Sequence, residues 1–194
     1  MRLLFSGPPG AGKGTQAAVI AAKLDIPAIS TGDIFRANVK SGTPLGIAAK
    51  HYMDAGEFVP DEVTNAMVDG RLSQADCAKG FLLDGYPRTL DQVQVLDELL
   101  AKQDAELDAA VLLQVDDELL VQRLLKRALV DGRADDTESV IRHRLDLYRR
   151  TTAPLAARYA SRGLLSAVDG AGEVAEVTER ILAVLAVSAT ERRA

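Results

Sequence analysis

The first fifteen residues, MRLLFSGPPGAGKGT, constrain this chain more than any other stretch. Residues 2–6 form a short apolar run that reads as a buried strand, residues 7–13 a glycine-rich turn, and Gly14-Thr15-Gln16-Ala17-Ala18 the opening of a helix. Strand, glycine-rich turn, lysine and helix start together make a phosphate cradle. The glycines let successive backbone N–H groups point at one anion, and the helix N-terminus adds partial positive charge. From this position Lys13 reaches the outer phosphates of a nucleoside triphosphate. A plain surface turn rich in Gly and Pro is the alternative, and the strand before it and the helix after it argue against that. The usual loop has Ser or Thr directly after its lysine. Here Gly14 stands there and Thr15 follows, which narrows the field of phosphate-loop proteins.

A loop of this kind needs a sheet behind it, and the rest of the sequence supplies one. Strands are expected at 2–6, 28–30, 80–84, 110–115 and 164–168, mostly as continuous apolar runs that suit strands covered on both faces. Helical patterns lie between them at 13–24, 31–40, 44–55, 60–73, 89–102, 117–129, 137–161 and 173–187. Such alternation predicts a three-layer, doubly wound α/β fold with a parallel five-stranded sheet and ligands beyond the carboxyl ends of the strands. The chain's 194 residues suit one compact domain with small insertions. Residues 30–59 read as helical throughout, broken at Ser41-Gly42-Thr43-Pro44. They form an excursion from the core that, hinged at both ends, can close over a ligand.

Charge and cysteine content exclude several function classes. A net charge of −5 argues against binding nucleic acid through phosphate neutralisation, so the positive charge that matters must be concentrated locally. The single cysteine, Cys77, excludes an internal disulfide and a multi-cysteine zinc site, and reads as a small apolar residue. His51 and His143 are too scattered for a metal site and read as surface residues. No apolar run approaches the roughly 18–20 residues a bilayer demands, and the phosphate loop begins too early for a leader, so a cytoplasmic enzyme is expected.

Two constellations carry chemistry. Asp84 ends the apolar run Phe81-Leu82-Leu83. Alone, a strand-terminal Asp reads as a cap or turn residue. Behind a phosphate loop of the right topology, it reads as the carboxylate that holds Mg²⁺ through its waters. The Tyr86-Pro87 bond that follows is either cis or an ordinary trans turn. Arginines are the second constellation. Arg36 and Arg88 follow the second and third strands, Arg123 and Arg127 share one helix face, and Arg133 lies in a loop before the helix that carries Arg144. Guanidinium forks match phosphate oxygens, so those near strand ends are candidates for the phosphates of two substrates. Arg142, Arg149 and Arg150 read as solvated faces.

Across essentially its whole length the chain resembles the adenylate kinases, which are P-loop nucleoside monophosphate kinases. The likeness rests on Gly7-Pro8-Pro9-Gly10-Ala11-Gly12-Lys13-Gly14-Thr15-Gln16, on Ser30-Thr31-Gly32-Asp33-Ile34-Phe35-Arg36, on Phe81-Leu82-Leu83-Asp84-Gly85-Tyr86-Pro87-Arg88, on Gln92 and on Val168-Asp169-Gly170. The resemblance implies reversible phosphoryl transfer from Mg²⁺-ATP to AMP, giving two ADP. It implies an ATP site at Gly10, Ala11, Gly12, Lys13, Gly14 and Thr15, with Arg127 against the nucleotide and Gly172 near its adenine. It implies an AMP site at Thr31, Arg36, Glu57, Phe58, Val59, Gly85, Tyr86, Pro87, Arg88 and Gln92, with Arg133 and Arg144 on the same side. Lys13, Arg88, Arg123, Arg133 and Arg144 are the expected catalytic residues, and Asp84 the expected Mg²⁺ partner.

The organisation implied is a core of 1–29, 60–126 and 138–194, an AMP-binding insert over 30–59 and a short lid loop over 127–137. Many bacterial relatives carry a small β-rich lid between Arg127 and Arg133, but here only five residues intervene, with no cysteines for a lid zinc. A monomer acting on nucleotides alone, with no nucleic acid or membrane partner, is the accompanying expectation. A UMP/CMP kinase of the same architecture is the nearest rival, and Thr31 and Gln92 favour adenine. A one-nucleotide signalling switch would have no use for a second arginine-rich site.

Overall fold

The computed structural model describes residues 1–131 and 137–191. Among these, five strands form one sheet: β1 (Arg2–Ser6), β2 (Ala28–Ser30), β3 (Phe81–Asp84), β4 (Ala109–Gln114) and β5 (Leu165–Asp169). Their order is β2-β3-β1-β4-β5 and every neighbouring pair is parallel. Nine α-helices accompany them among the described residues. They are α1 (Lys13–Leu24), α2 (Thr31–Ser41), α3 (Pro44–Ala55), α4 (Asp61–Leu72), α5 (Leu90–Ala101), α6 (Asp117–Asp131), α7 (Glu138–Leu147), α8 (Leu155–Ser161) and α9 (Val174–Glu191).

The continuous apolar runs are explained by two covered faces. Along β1, Leu3 and Phe5 enter one buried cluster with α1, α6, α7 and α9, while Leu4 between them enters a second cluster with α4, α5 and α8. Ala109, Val111 and Leu113 of β4 face the first cluster and Ala110 the second. Side chains alternate across a strand, so a strand buried on both faces is apolar at every step. The fold is the three-layer, doubly wound α/β architecture with a parallel five-stranded sheet that the sequence predicts.

Helix boundaries follow local chemistry. Ser30 caps α2 by accepting from Asp33 N–H, Thr43 caps α3 by accepting from Gly46 N–H with Pro44 at its first position, and Thr89 caps α5 by accepting from Gln92 N–H. The stretch expected to be helical throughout 30–59 ends its second helix at Ala55, with Gly56 in the left-handed region and 57–59 non-helical. Helices α2 and α3 share a small core of Phe35, Ala49 and Val59, separate from the two main clusters.

The helix expected over 137–161 is instead three segments. After α7 the chain adopts a π-helical stretch, Tyr148–Thr152, in which Ala153 N–H reaches Tyr148 C=O, and α8 starts only after Pro154. A proline inside a helix lacks the required N–H and its ring clashes with the preceding turn, so the backbone widens before it. A 3-10 turn occupies Ala75–Cys77, where no element is predicted, and strands β3, β4 and β5 are each displaced by one residue at one or both ends from the predicted bounds.

Candidate active site

At the carboxyl ends of β1 and β3 lies a cleft of about 540 Å³. Its floor is the turn between β1 and α1. Gly12 takes a left-handed conformation, φ 91°, and a Cβ there would meet nothing within 4 Å; it would stand in the cleft itself. No side chain caps α1. Its first N–H groups are orphaned donors, and the helix dipole adds to their pull on an anion.

Lys13 is the first residue of α1, and its Nζ donates to the carbonyls of Gly7 (2.7 Å) and Pro8 (2.9 Å), folding back over the loop. Burial pushes its pKa down to about 8; the Asp84 carboxylate opposes this, while Arg88, Arg144 and Arg127 add to it. Asp84 ends β3 in the cleft wall. Burial raises the pKa of its carboxyl, and Lys13 and Arg88 pull it back down. Arg88 is held by Nε donating to Gly85 C=O at 2.8 Å and by its guanidinium standing 5.0 Å over the Phe58 ring. Burial, with Arg144 and Arg36 nearby, lowers its pKa to about 10, so it stays charged at neutral pH.

Six basic residues (Lys13, Arg36, Arg88, Arg123, Arg127, Arg144) and two acidic ones (Asp33, Asp84) line the cleft. A chain of net charge −5 thus concentrates positive charge where strand ends meet. Gly170 and Gly172 also line the cleft, and Arg123 donates to Gly170 C=O at 3.1 Å.

A second pocket, about 70 Å³, opens beside the cleft under the α2–α3 excursion. Thr31, Phe35, Met53, Glu57, Phe58, Val59, Thr64 and Gln92 line it. The two cavities share Gly32, Arg36, Gly85, Arg88 and Arg144 as a common wall. Gly85 sits there at φ +80°, and a Cβ on it would come within 2.9 Å of Thr31 Oγ1 and 3.0 Å of an Arg88 terminal nitrogen. Only glycine allows Thr31, whose hydroxyl donates to Gly85 C=O, and Arg88 to approach so closely.

Most of the residues singled out in the sequence meet at these two cavities. Residues 10–15, Asp84, Arg123, Arg127 and Gly172 line the cleft, Thr31, residues 57–59 and Gln92 line the smaller pocket, and Arg36, Gly85, Arg88 and Arg144 line both. Arg133 lies outside the described residues. Tyr86 and Pro87, joined by a cis peptide bond, line neither cavity; they border a third space of about 80 Å³ behind the phosphate loop. Tyr86 is buried in the second core cluster, with its hydroxyl 2.8 Å from Asn65 Oδ1 and 3.2 Å from Gln92 C=O. Arg36 reaches Asp33 at 2.5 Å. Arg142, Arg149 and Arg150 pair with Glu138, Asp117 and Asp146 on exposed faces. His143 is half-exposed and lies 2.6 Å from Glu57, Cys77 is buried, and His51 is exposed.

Two further residues support the site and show only in the structure. Asp61 accepts from both Thr89 and Gln92, and Thr152 Oγ1 in the π-helical stretch donates to Arg88 C=O at 3.1 Å. Pro154 inside a helical pattern was the available sign of that bulge. For Asp61 no local sign exists.

The donor set suits a hard cation. Asp84 stands in a cleft lined by neither His nor Cys, with the Thr15 hydroxyl and the Asp33 carboxylate in the same lining, which matches a metal that takes one or two carboxylates and completes its shell with water and phosphate. Among the described residues no group of three or more His, Cys, Asp or Glu gathers as for an all-protein metal cage. Nor is any helix among them long and apolar enough to cross a membrane.

Comparison with known proteins points one way. The family model for adenylate kinase matches residues 5–164. The chain is 62% identical over 185 residues to an adenylate kinase of Nocardioides sp., covering 95% of this chain and 97% of that protein. It is 61% identical over 181 residues to an adenylate kinase of Pseudarthrobacter chlorophenolicus, covering 93% and 94%. An adenylate kinase of Leptospira biflexa is 54% identical over 181 residues, covering 93% and 97%.

Proposed function

The chain belongs to the adenylate kinase family, and from that premise we propose that it transfers a phosphoryl group reversibly from Mg²⁺-ATP to AMP, giving two ADP. One observation carries the assignment of sites. The cleft with the phosphate cradle and the pocket under the excursion share a wall that contains Arg36, Arg88 and Arg144. Two nucleotides bound on either side of that wall meet phosphate to phosphate.

In this reading residues 10–15 and the α1 N-terminus hold the ATP phosphates, Arg127 lies along the donor, and Gly172 borders its adenine. Thr31, residues 57–59, Gly85 and Gln92 surround AMP, with Tyr86 and Pro87 supporting the turn from behind. Arg36 and Arg88 grip the AMP phosphate. Lys13, Arg88, Arg123, Arg144 and the undescribed Arg133 neutralise the charge on the transferring group. Asp84 would hold Mg²⁺, which would offset phosphate charge. Phosphoryl transfer asks for alignment and positive charge more than for covalent help. Lys13 must then leave the Gly7 and Pro8 carbonyls for phosphate oxygens when ATP arrives.

The proposal divides the chain into a core (1–29, 60–126, 138–194), an acceptor insert (30–59) and a short lid (127–137) without zinc. Every group named comes from one chain, so a monomer suffices, and an enzyme that draws on cellular ATP and AMP works in the cytoplasm. Purified protein with Mg²⁺ and ATP should form ADP from AMP, and ADP alone should disproportionate. A coupled assay with AMP, CMP, UMP and GMP as acceptors tests it. Faster phosphorylation of CMP or UMP than of AMP overturns the acceptor assignment.

A further inference from the structure

Asp61 opens α4 immediately after Pro60, and its carboxylate accepts two side-chain hydrogen bonds from the start of α5. Oδ2 accepts from Thr89 Oγ1 and Oδ1 from Gln92 Nε2, each at 2.6 Å. The other end of the Gln92 amide is held as well, since Oε1 accepts from Arg88 N–H at 2.7 Å. A backbone N–H only donates, and an ionised carboxylate only accepts. Turning the amide over would set N–H against N–H and oxygen against carboxylate. Its orientation is therefore locked from both ends. Asn65, one turn further along α4, lies 2.8 Å from the Tyr86 hydroxyl, so the same helix face holds the 86–92 loop at two points.

Gln92 is 1% exposed, and it lines the smaller pocket. With two of its hydrogen-bonding positions occupied, the amide keeps one N–H and one acceptor position. A 6-aminopurine offers a ring-nitrogen acceptor beside an amino donor. A 6-oxopurine offers the reverse, a ring N–H beside a carbonyl. An amide free to turn satisfies either base, whereas a locked amide satisfies one order only. We infer that Asp61 is a specificity-determining positioning residue: by locking the Gln92 amide it makes the acceptor pocket accept a 6-aminopurine and reject a 6-oxopurine. This inference rests on reading that pocket as the acceptor site.

The test compares AMP with IMP as acceptor, at saturating Mg²⁺-ATP, in the full-length protein. In Asp61→Ala the amide loses one lock. The AMP KM should rise about tenfold with kcat within about twofold, and the AMP/IMP ratio of kcat/KM should fall at least about tenfold. Asp61→Asn keeps an oxygen for Gln92 Nε2 and should hold the ratio within about threefold of the parent. Should Asp61→Ala not fold, Asp61→Ser serves: its hydroxyl both donates and accepts, so the lock goes while a partner stays, and the ratio should fall as for alanine. A folded Asp61→Ala or Asp61→Ser protein with an unchanged AMP/IMP ratio, or with both acceptors weakened in parallel, overturns the inference. A parent protein that does not phosphorylate AMP overturns the acceptor reading instead.

Discussion

Lys13 bears two pH effects of opposite sign. Burial holds its pKa near 8 in the free protein, against 10.5 in an unfolded chain. Between those values the unfolded chain binds more protons, so this group makes the free protein more stable as pH rises through the window. In the proposed donor site ATP binding needs the charged lysine, and bound phosphates would favour that form. Affinity for ATP should therefore weaken above about pH 8, by at most about tenfold per pH unit. Calorimetric titration of ATP without AMP from about pH 7.5 to 9.5 checks this, and a flat profile would remove Lys13 from the donor site. Lys13→Met should abolish the dependence and lower turnover at least about a hundredfold while the melting transition persists. Lys13 was legible from the sequence because its neighbours define it: strand, glycines and helix start all lie within fifteen residues. Asp61 was not, because its partners Thr89 and Gln92 lie 28 and 31 residues away and meet it only once α4 and α5 are packed.

At the scale of elements, α2 and α3 are joined more tightly than any pattern of apolar residues predicts. A Cβ on Gly46 would come within 2.2 Å of the carbonyl carbon and oxygen of Asn38 and 2.5 Å of the Val39 nitrogen. The two helices are in backbone contact, and the only residue that fits is one without a side chain. Gly46→Ala must force them apart, an overpacking cost of about 1–3 kcal/mol. Helices α2 and α3 have their own small core, so the damage should stay local. The expected result is a raised KM for AMP and faster hydrogen exchange over 31–55, with ATP affinity unchanged. Equal loss on both sides would mean that the excursion is not a separate unit. Its helices could be read from their apolar periodicity and from the Ser41-Gly42-Thr43-Pro44 break, but their closeness could not. The π-helical widening before Pro154 was likewise missed, because periodicity barely registers one extra residue in a turn.

The whole molecule brings the excursion against α7. Glu57 meets His143 at 2.6 Å, and a Cβ on Gly56 would lie 2.9 Å from Val140 and 3.0 Å from Arg144. In the proposed division of the chain, a unit with its own core should move as one body over AMP and exclude water from the transferring group. A bisubstrate analogue that joins two adenosines through five phosphates should span both cavities. On binding it, amide exchange over 30–59 should slow strongly, with a smaller change at the end of α6. Unchanged exchange over 30–59 at saturation would mean that the segment does not close.

The wall shared by the two cavities carries a consequence for how such a protein can diverge. Arg36, Arg88 and Arg144 line both cavities, so in the proposed reading any substitution there is felt by two ligands. Thr31, Met53, Val59 and Gln92 border only the smaller pocket among these cavities. Variation at those four positions can alter the choice of acceptor base while leaving the grip on ATP untouched. A lineage drifting toward a new acceptor would therefore rewrite the pocket lining and Asp61 behind it, and keep the three arginines.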